Sequence, residues 1–329
     1  MERKRIAVIM GGYSSEAGIS LLSGQTVMNH LHDGPFEAVA VHILRDGWSA
    51  VINNQTFAIE RGDFSYRNAD GQKCVFEAVF NAIHGHPGED GVLQAYFDIL
   101  GLPYTSSGVF ASALTFNKAH CSLYAGKLGL NVAKSIVHRR TDSLDFEFIK
   151  THVGFPCFVK PNRSGSSFGV SRVSTADELP KALQLAYAED DLVVIEKGIE
   201  GVEIACGLTT RFGKPEVIGI TEIVSENAFF DYEAKYQGKA KEITPARISE
   251  AVASLVEEQS LLLYKHLELK GIARVDYIIE NQSQKPYLIE VNSIPGLSAE
   301  SIVPRQMAWR GWSPAEVFNQ NLIECLKTV

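Results

Sequence analysis

Two short apolar segments near the carboxyl end of the chain, separated by a polar turn, constrain its fold most strongly. Residues 273–279 read ARVDYII, residues 287–292 read YLIEVN, and the sequence ENQSQKP lies between them. Two such runs joined by a few turn-forming residues are typical of an antiparallel β-hairpin. The sequence therefore predicts a hairpin at 273–292, in which each strand carries polar side chains that need an explanation.

Side chains alternate between the two faces of a strand, so the hairpin should have one apolar and one polar face. The expected apolar face consists of Ala273, Val275, Tyr277, Ile279, Ile289 and Val291. The expected polar face consists of Arg274, Asp276, Glu290 and Asn292. Two interpretations of the polar face remain open. It is either a solvated face with a salt bridge from Arg274, or a site for a hard metal ion, which prefers carboxylate and amide oxygens.

Composition narrows the function classes. A chain of 329 residues should form two or three domains, and a hydrophobic content of 45% is ordinary for a globular protein. The net charge of −8 argues against a nucleic-acid partner. No apolar run is long enough for a membrane span or a signal-peptide core. Five cysteines without paired spacing fit a reducing compartment. We expect a cytoplasmic protein without a nucleic-acid or membrane partner.

The first part of the chain has the pattern of an α/β domain that ends near residue 115. The strand KRIAVIMGG is followed by a segment with helical spacing and by a second strand, FEAVAVHIL. A β-rich stretch follows, and then a helix and a strand up to residue 108. A glycine turn before a helix can bind an anion, although it also occurs for packing reasons alone. The turn lacks the G-x-G-x-x-G pattern of dinucleotide-binding proteins.

The middle of the chain contains a candidate phosphate-binding hairpin. A helix is expected from Asn117 to Leu128, and the segment CFVKPNRSGSSFGVSRV at 157–173 places Lys160 at a strand end before a loop of small residues. Such a loop can cover polyphosphate oxygens with backbone N–H groups, but a plain Gly/Ser turn has the same sequence. Further on, Glu196, Lys197 and Ile199 could contact a nucleobase edge, or could be ordinary surface positions.

Seven stretches, in order along the chain, resemble the D-alanine–D-alanine ligases of the ATP-grasp superfamily. They are GGYSSEAGIS at 11–20, HGHPGEDGVLQ at 84–94, LPYTSSGVFASALTFNK at 102–118, FVKPNRSGSSFGVSRV at 158–173, VVIEKGIEGVE at 193–203, FDYEAKY at 230–236, and ARVDYII with LIEVNSIPGLSAESIVP at 273–304. The resemblance implies an α/β protein with an ATP-grasp fold. Its expected domains are a Rossmann-like domain at 1–115, a central subdomain at 116–208 and a catalytic subdomain at 209–329, with a mobile loop at about 225–245.

The resemblance also implies the reaction. In this family, ATP activates the carboxylate of one D-alanine as an acyl phosphate, which the amine of a second D-alanine attacks to give a dipeptide for peptidoglycan synthesis. The expected cofactors are ATP and two Mg²⁺ or Mn²⁺ ions, and a monovalent cation is a further candidate. The family also implies a homodimer. Metal ions would offset the charge of the triphosphate and of the incoming carboxylate.

Site residues follow from the resemblance, position by position. The metal ligands would be Asp276, Glu290 and Asn292. The catalytic group would comprise Glu16, Ser166, Tyr236, Arg274 and Gly296. Nucleotide binding would fall to Lys118, Lys160, Ser167, Glu196, Lys197, Ile199, Glu203 and Lys235. The two amino-acid substrates would contact Glu16, His84, Ser301 and Ile302.

The chain departs from the family pattern at a few positions. Phe230 stands where many relatives have Tyr, and Glu300 stands where His or a small residue is common, which makes the approach to the second substrate site more acidic. A sibling ligase that joins D-alanine to D-lactate or D-serine is an alternative, although Tyr236 favours the dipeptide because lactate-forming relatives typically have Phe there. A nicotinamide-binding Rossmann protein or a non-catalytic nucleotide sensor is an alternative from another class.

Overall fold

The computed structural model of the protein describes residues 3–225 and 240–327. Within them the chain forms three sheets with helices packed against their faces, as the α/β prediction requires. No helix in these two ranges is both long enough and apolar enough to cross a bilayer.

The N-terminal sheet combines a parallel core with antiparallel edge strands. Its strands are β1 (Lys4–Gly11), β2 (Phe36–Leu44), β3 (Gly47–Ile52), β4 (Gln55–Glu60), β5 (Ser65–Arg67), β6 (Lys73–Cys74) and β7 (Ala78–Asn81). The order across the sheet is β6-β5-β4-β3-β2-β1-β7, with β1 parallel to both β2 and β7. The central strand β1 is apolar along most of its length because both of its faces are covered. The predicted strand after residue 101 is wrong, since Tyr104 makes only an isolated bridge to Val79.

Three helices accompany this sheet and lead out of it. They are α1 (Ala17–Leu31), α2 (Val92–Leu100) and α3 (Val109–Phe116). The crossover β1-α1-β2 is the Rossmann-like unit that the sequence predicts. The next helix, α4 (Lys118–Lys127), begins where Asn117 accepts the backbone N–H of His120 with its side chain. Asparagine is a favoured N-cap because its side-chain oxygen satisfies an otherwise unpaired N–H.

The second sheet is small and antiparallel. Strand β8 (Asn131–Val132) precedes it, and its own strands are β9 (Ser135–Arg139), β10 (Cys157–Pro161), β11 (Ser171–Val173) and β12 (Leu192–Lys197), in the order β11-β10-β12-β9. Helices α5 (Phe146–His152) and α6 (Leu179–Ala186) cover one face. The predicted hairpin around Lys160 is present, with β10 paired to β11.

The third sheet contains the hairpin that opened the sequence argument. Its strands are β13 (Gly201–Arg211), β14 (Lys214–Ser225), β15 (Ala240–Ile243), β16 (Ala273–Glu280) and β17 (Pro286–Asn292), and β8 joins its edge. The remaining helices are α7 (Glu250–His266), α8 (Ile302–Arg310) and α9 (Pro314–Leu326). Of the loop predicted at about 225–245, residues 240–243 form β15, and residues 226–239 lie outside the described part of the chain. The domain limits at 115 and 208 stay a prediction.

The hairpin has the predicted pairing but not the predicted apolar face. Arg274 pairs with Asn292 and Asp276 pairs with Glu290, as expected. A register shift after Asp276 then pairs Tyr277 with Leu288, so that Ile289 is the extra residue of a β-bulge. Leu288 consequently lies in the core, and Ile289 lines the cavity on the polar side. The assignment of Ile289 to the apolar face was therefore wrong.

Helices α8 and α9 join the N-terminal sheet to the third sheet. Met307 and Phe318 from these helices pack in one apolar cluster with Val8 of β1 and Ile218 of β14. Leu297, in the loop before α8, and Val303, in the first turn of α8, belong to the same cluster.

Candidate active site

A cavity of about 410 Å³ lies between the second and third sheets. Nine of the residues predicted from the sequence line it: Lys118, Lys160, Ser167, Glu196, Ile199, Glu203, Arg274, Asp276 and Glu290. Apolar side chains, including Phe158, Ile278 and Ile289, line the same space. Ligand sites commonly combine an apolar lining with a few converging polar groups. The cavity thus has the size and lining expected of a nucleotide site.

Two lysines reach this cavity from different elements. Lys118 is the first residue of α4, and its Nζ lies 3.3 Å from Glu290 Oε2. Lys160 is near the end of β10, and its Nζ lies 2.7 Å from Glu196 Oε1. Both side chains are largely buried. Two buried ammonium groups suit a polyphosphate, because a phosphate can replace the carboxylate partner of each as a charged acceptor.

Asn162 holds the start of α4 in place. Its side chain accepts the backbone N–H of Ala119 at 2.9 Å, and its carbonyl oxygen accepts the N–H of Lys118 at 3.1 Å. Asn162 is fully buried. The end of β10 therefore sets the position of both lysines.

The polar face of the hairpin contains the salt bridge that the sequence left open, beside the residues predicted as metal ligands. Arg274 donates from Nε and Nη2 to the two oxygens of Asp276, each at 2.7 Å. The salt bridge is real, but Asp276 is buried rather than solvated. Asn292 Nδ2 lies 3.0 Å from Asp276 Oδ2 and 3.5 Å from Glu290 Oε1. Two carboxylates thus converge on one side-chain amide, at the wall of the cavity.

This donor set fits a hard divalent cation. Among residues 3–225 and 240–327, no group of three or more His, Cys, Asp and Glu side chains could hold a metal ion. The candidate set instead combines the two carboxylates of Asp276 and Glu290 with the amide of Asn292. A half-turn of the amide would direct its oxygen toward the carboxylates. Oxygen donors of this kind, completed by substrate phosphates, suit Mg²⁺.

Glu16 and Ser166 meet beside the loop residues Gly165 and Ser167, which line the cavity. Ser166 donates its hydroxyl to Glu16 Oε1 at 2.6 Å, although 150 residues separate the two positions. Ser166 and Ser167 have φ values of 50° and 59°, the left-handed conformation that most residues avoid. The turn places Gly165 so close to Glu16 that a Cβ there would lie 2.5 Å from Oε1. The small-residue loop is therefore shaped around the Glu16 carboxylate.

Three residues of the N-terminal sheet region hold the loop that contains Gly296. His84 Nδ1 lies 2.8 Å from the carbonyl oxygen of Ile294, and its Nε2 lies 2.9 Å from Ser23 Oγ. Ser23 Oγ in turn accepts the N–H of Leu297 at 3.1 Å. Glu89 accepts the N–H of Ile294, also at 3.1 Å. The loop at 294–297 is thus fixed through both its N–H and its C=O groups.

Burial shifts the pKa values of His84 and Glu89. Desolvation lowers the pKa of His84, opposed by the nearby carboxylate of Glu16. A neutral ring explains the contacts, with Nδ1–H donating to Ile294 and Nε2 accepting from Ser23. Desolvation, together with the charge of Glu16, raises the pKa of Glu89 to about 8. Glu89 therefore keeps its proton at a higher pH than an exposed carboxyl does.

The start of α8 lies beside Gly296. Ser301 is the N-cap of this helix, and Ile302 is its first residue. A Cβ at Gly296 would lie 2.8 Å from Ser301 Oγ, so only glycine leaves this approach open. Unpaired N–H groups at a helix start favour a carboxylate. The structure thus brings Gly296, Ser301 and Ile302 together, as the sequence predicts.

Some predicted residues are not placed in the site. Lys197 is exposed, and its side chain does not line the cavity, whereas its backbone N–H bonds to the carbonyl oxygen of Lys134 at 2.8 Å. Lys235, Tyr236 and Phe230 lie outside the described residues.

Other residues of the site were missed in the sequence. Glu89 stands inside the quoted HGHPGEDG stretch, but no sequence pattern marks it as the buried acid beside Asp90. Ser23 occupies one face of α1 and reads as an ordinary helix position. Their roles depend on contacts with residues more than 200 positions away, which local sequence does not reveal.

Comparisons with known proteins agree with this geometry. A family model described as "D-ala D-ala ligase N-terminus" matches residues 5–107, and one described as "D-ala D-ala ligase C-terminus" matches residues 125–324. The D-alanine–D-alanine ligase of Flavobacterium johnsoniae is 46% identical over 98% of this chain and 98% of its own length. That of Christiangramia forsetii is 41% identical over 97% and 98%.

Solved structures give the same result for the fold. D-alanyl-alanine synthetase A from Vibrio cholerae superposes with a TM-score of 0.89 at 26% identity, over 99% of both chains. The VanG D-Ala:D-Ser ligase from Enterococcus faecalis superposes with a TM-score of 0.86 at 29% identity, over 98% of this chain and 99% of that one. The fold is that of an ATP-grasp enzyme, which confirms the predicted fold class. With both family models matched, the chain belongs to the D-alanine–D-alanine ligase family.

Proposed function

We propose that the protein joins two D-alanine molecules to D-alanyl-D-alanine at the expense of ATP. The observation that carries the proposal is the meeting of three groups at one cavity. Buried lysines line it, the carboxylates of the hairpin form one wall, and the Glu16–Ser166 pair lies next to Gly165, which lines the cavity. The names of the relatives support the same reaction.

The reaction needs an activated carboxylate. An oxygen of the first D-alanine carboxylate attacks the γ-phosphorus of ATP, ADP leaves, and an acyl phosphate results. The amine of the second D-alanine then attacks the acyl carbon, phosphate leaves with the bonding electron pair, and the amine loses a proton. Divalent metal, held by Asp276, Glu290 and Asn292, would neutralise phosphate charge when bound. We assign Mg²⁺ or Mn²⁺ to this role, and two ions per site.

The chain supplies the remaining groups. Glu16, oriented by Ser166, binds the ammonium of the first substrate. Arg274 and the N–H of Gly296 stabilise the oxyanion that forms on the acyl carbon, because donors fixed in place need no reorganisation as charge develops. Lys118 and Lys160 hold the phosphates of ATP, and Glu196, Ile199 and Glu203 bind its nucleoside part. Lys235 and Tyr236 are assigned to the closing of the site on the strength of the resemblance.

Product analysis tests the identity of the second substrate. Purified protein is incubated with ATP, Mg²⁺ and equal D-alanine, D-serine and D-lactate, and the products are separated by chromatography. We expect D-alanyl-D-alanine as the main product, with phosphate release that depends on D-alanine. If the main product contains D-serine, the acceptor named for the VanG relative, then D-serine is the second substrate and the assignment of D-alanine to that site is wrong. Absence of D-alanine-dependent phosphate release would refute the ligase.

We also propose a homodimer, formed by the N-terminal domain. Exposed apolar side chains on α2 and α3 support this contact: Val92, Ile99, Val109 and Phe110. Apolar patches of this kind often mark interfaces. Sedimentation analysis of the wild type and of an Ile99→Asp variant tests the dimer, which the substitution should weaken.

A further inference from the structure

An ionic cluster beside α8 has no role in the site described above. Arg305 donates from Nη2 to Glu300 Oε2 at 2.8 Å and from Nη1 to Glu242 Oε2 at 3.2 Å. Glu300 directly precedes Ser301, the N-cap of α8, and Arg305 is one turn further along the same helix. One guanidinium thus bridges two carboxylates at the start of this helix.

Glu242 connects the cluster to a strand that lines the cavity. It lies on β15 and pairs with Ile223 of β14, which lines the cavity. Its side chain is 16% exposed, against 84% for Glu300. Burial raises the pKa of Glu242, while the charges of Arg305 and Arg274 lower it. Arg305 therefore compensates a buried carboxylate whose other cationic neighbour is Arg274, a proposed catalytic group.

The charges matter for the ligand at the start of α8. A second amino acid binds there with a carboxylate, which the helix N–H groups attract. Glu300 adjoins Ser301 in the chain and Glu242 shares the guanidinium of Arg305, so both acids place negative charge near this helix start and would repel the same carboxylate. Because the guanidinium of Arg305 bonds to both Glu300 and Glu242, it reduces this repulsion and fixes the positions of the two carboxylates.

We propose that Arg305 is a positioning residue that determines affinity for the second substrate. It neutralises Glu300 and Glu242, and so lets an amino-acid carboxylate bind beside Ser301. The inference rests on the proposed function, because it takes the start of α8 as the second-substrate site. It assigns no chemical step to Arg305, which acts through its two carboxylate partners.

The test is a kinetic comparison of Arg305→Gln with the wild type, using D-alanine-dependent phosphate release at saturating ATP. We expect the KM of the second D-alanine site to rise about tenfold, as removal of a local charge weakens binding of an opposite charge. The KM values for ATP and for the first D-alanine should stay within about twofold. High salt should shrink the difference between variant and wild type, because screening weakens the repulsion. A purely structural defect would not respond to salt in this way.

Arg310→Gln is the matched control. Arg310 lies in the last turn of the same helix and stacks over Trp312, so its loss changes the net charge equally but away from the helix start. We expect a wild-type KM for the second substrate. An equal rise in Arg305→Gln and Arg310→Gln would refute a local role.

Removal of the repelling charge should rescue the variant. Arg305→Gln combined with Glu300→Gln should recover to within about threefold of the wild-type KM. Glu300→Gln alone changes an exposed side chain and should lower this KM about twofold, which keeps a test available if Arg305→Gln does not fold. An unchanged KM in both single variants would overturn the inference while leaving the ligase intact. A wild type without D-alanine-dependent phosphate release would refute the proposed function and the inference together.

Discussion

The contact between Gly165 and Glu16 allows a sharp test of first-substrate binding. In Gly165→Ala, the new Cβ would lie 2.5 Å from Glu16 Oε1, 2.6 Å from Oε2 and 2.7 Å from Cδ. Carbon and oxygen atoms in contact stay more than about 3 Å apart, so the carboxylate must move by at least about 0.5 Å. Gly165 is not among the residues with positive φ. The backbone therefore accepts alanine, and the strain falls on Glu16.

The displacement should cost activity more than stability. Glu16 would lose its 2.6 Å hydrogen bond from Ser166 and its alignment with the substrate ammonium. Hydrogen bonds to charged groups contribute about 1.5–3 kcal/mol. Loss of that stabilisation corresponds to a fall of about 10- to 100-fold in kcat/KM for the first D-alanine.

The assay is phosphate release over a range of D-alanine concentrations, with Tm measured by calorimetry on the same preparations. Gly18→Ala is the control, because Gly18 lies on α1 two residues from Glu16 and a Cβ there meets nothing within 4 Å. That variant should keep its activity, and a gain of about 0.5–1 kcal/mol in stability is expected from alanine in a helix. Wild-type kcat/KM in a folded Gly165→Ala protein would refute the role of Glu16.

Three further substitutions test other parts of the site. Glu290→Gln should reduce kcat about 100-fold with little change in Tm, because one metal-binding charge is lost. Near-normal turnover would mean that the polar face of the hairpin has only a structural role, as a salt bridge. Burial raises the pKa of Glu89 to about 8, so its contribution to stability is complete below its unfolded pKa of about 4.5 and is lost as the pH rises through 8. Tm should therefore fall less over this pH range in Glu89→Gln than in the wild type, and parallel pH profiles would contradict the assignment. Asn162→Ala should lower the free energy of unfolding by about 1–3 kcal/mol in denaturant titrations, and raise the KM for ATP through the displaced start of α4; an unchanged KM would separate Asn162 from the placement of Lys118.

The sequence predicted the elements whose pattern is local. The strand before Gly11, the helix from Asn117 and the pairing of Arg274 with Asn292 depend on alternation, helical spacing and capping, which a single segment displays. The resemblance supplied the site positions, and nine of them line one cavity. Their contacts inside that cavity required the structure.

The failures have physical causes. The bulge that turns Ile289 toward the cavity comes from a one-residue shift in pairing, and the sequence does not reveal this shift because Leu288 and Ile289 are adjacent and both apolar. The strand expected near Tyr104 does not form, because this segment makes only a single β-bridge, between Tyr104 and Val79. Glu89, Glu242 and Arg305 look like surface charges in sequence, since only tertiary contacts bury or pair them.

The hydrogen bonds that join Ser23, His84 and Glu89 to the loop at 294–297 limit how the enzyme can be divided into fragments or recombined with a relative. The N–H of Gly296 belongs to one end of the chain, while the groups that aim it belong to the other. Two fragments separated near residue 115 would lack a working reaction centre until they associate, because Gly296 and the groups that hold its loop would lie on different fragments. A hybrid that combines the first third of one relative with the remainder of another would need residues that can form these three contacts. Without them, changes to the substrate pocket would not restore activity.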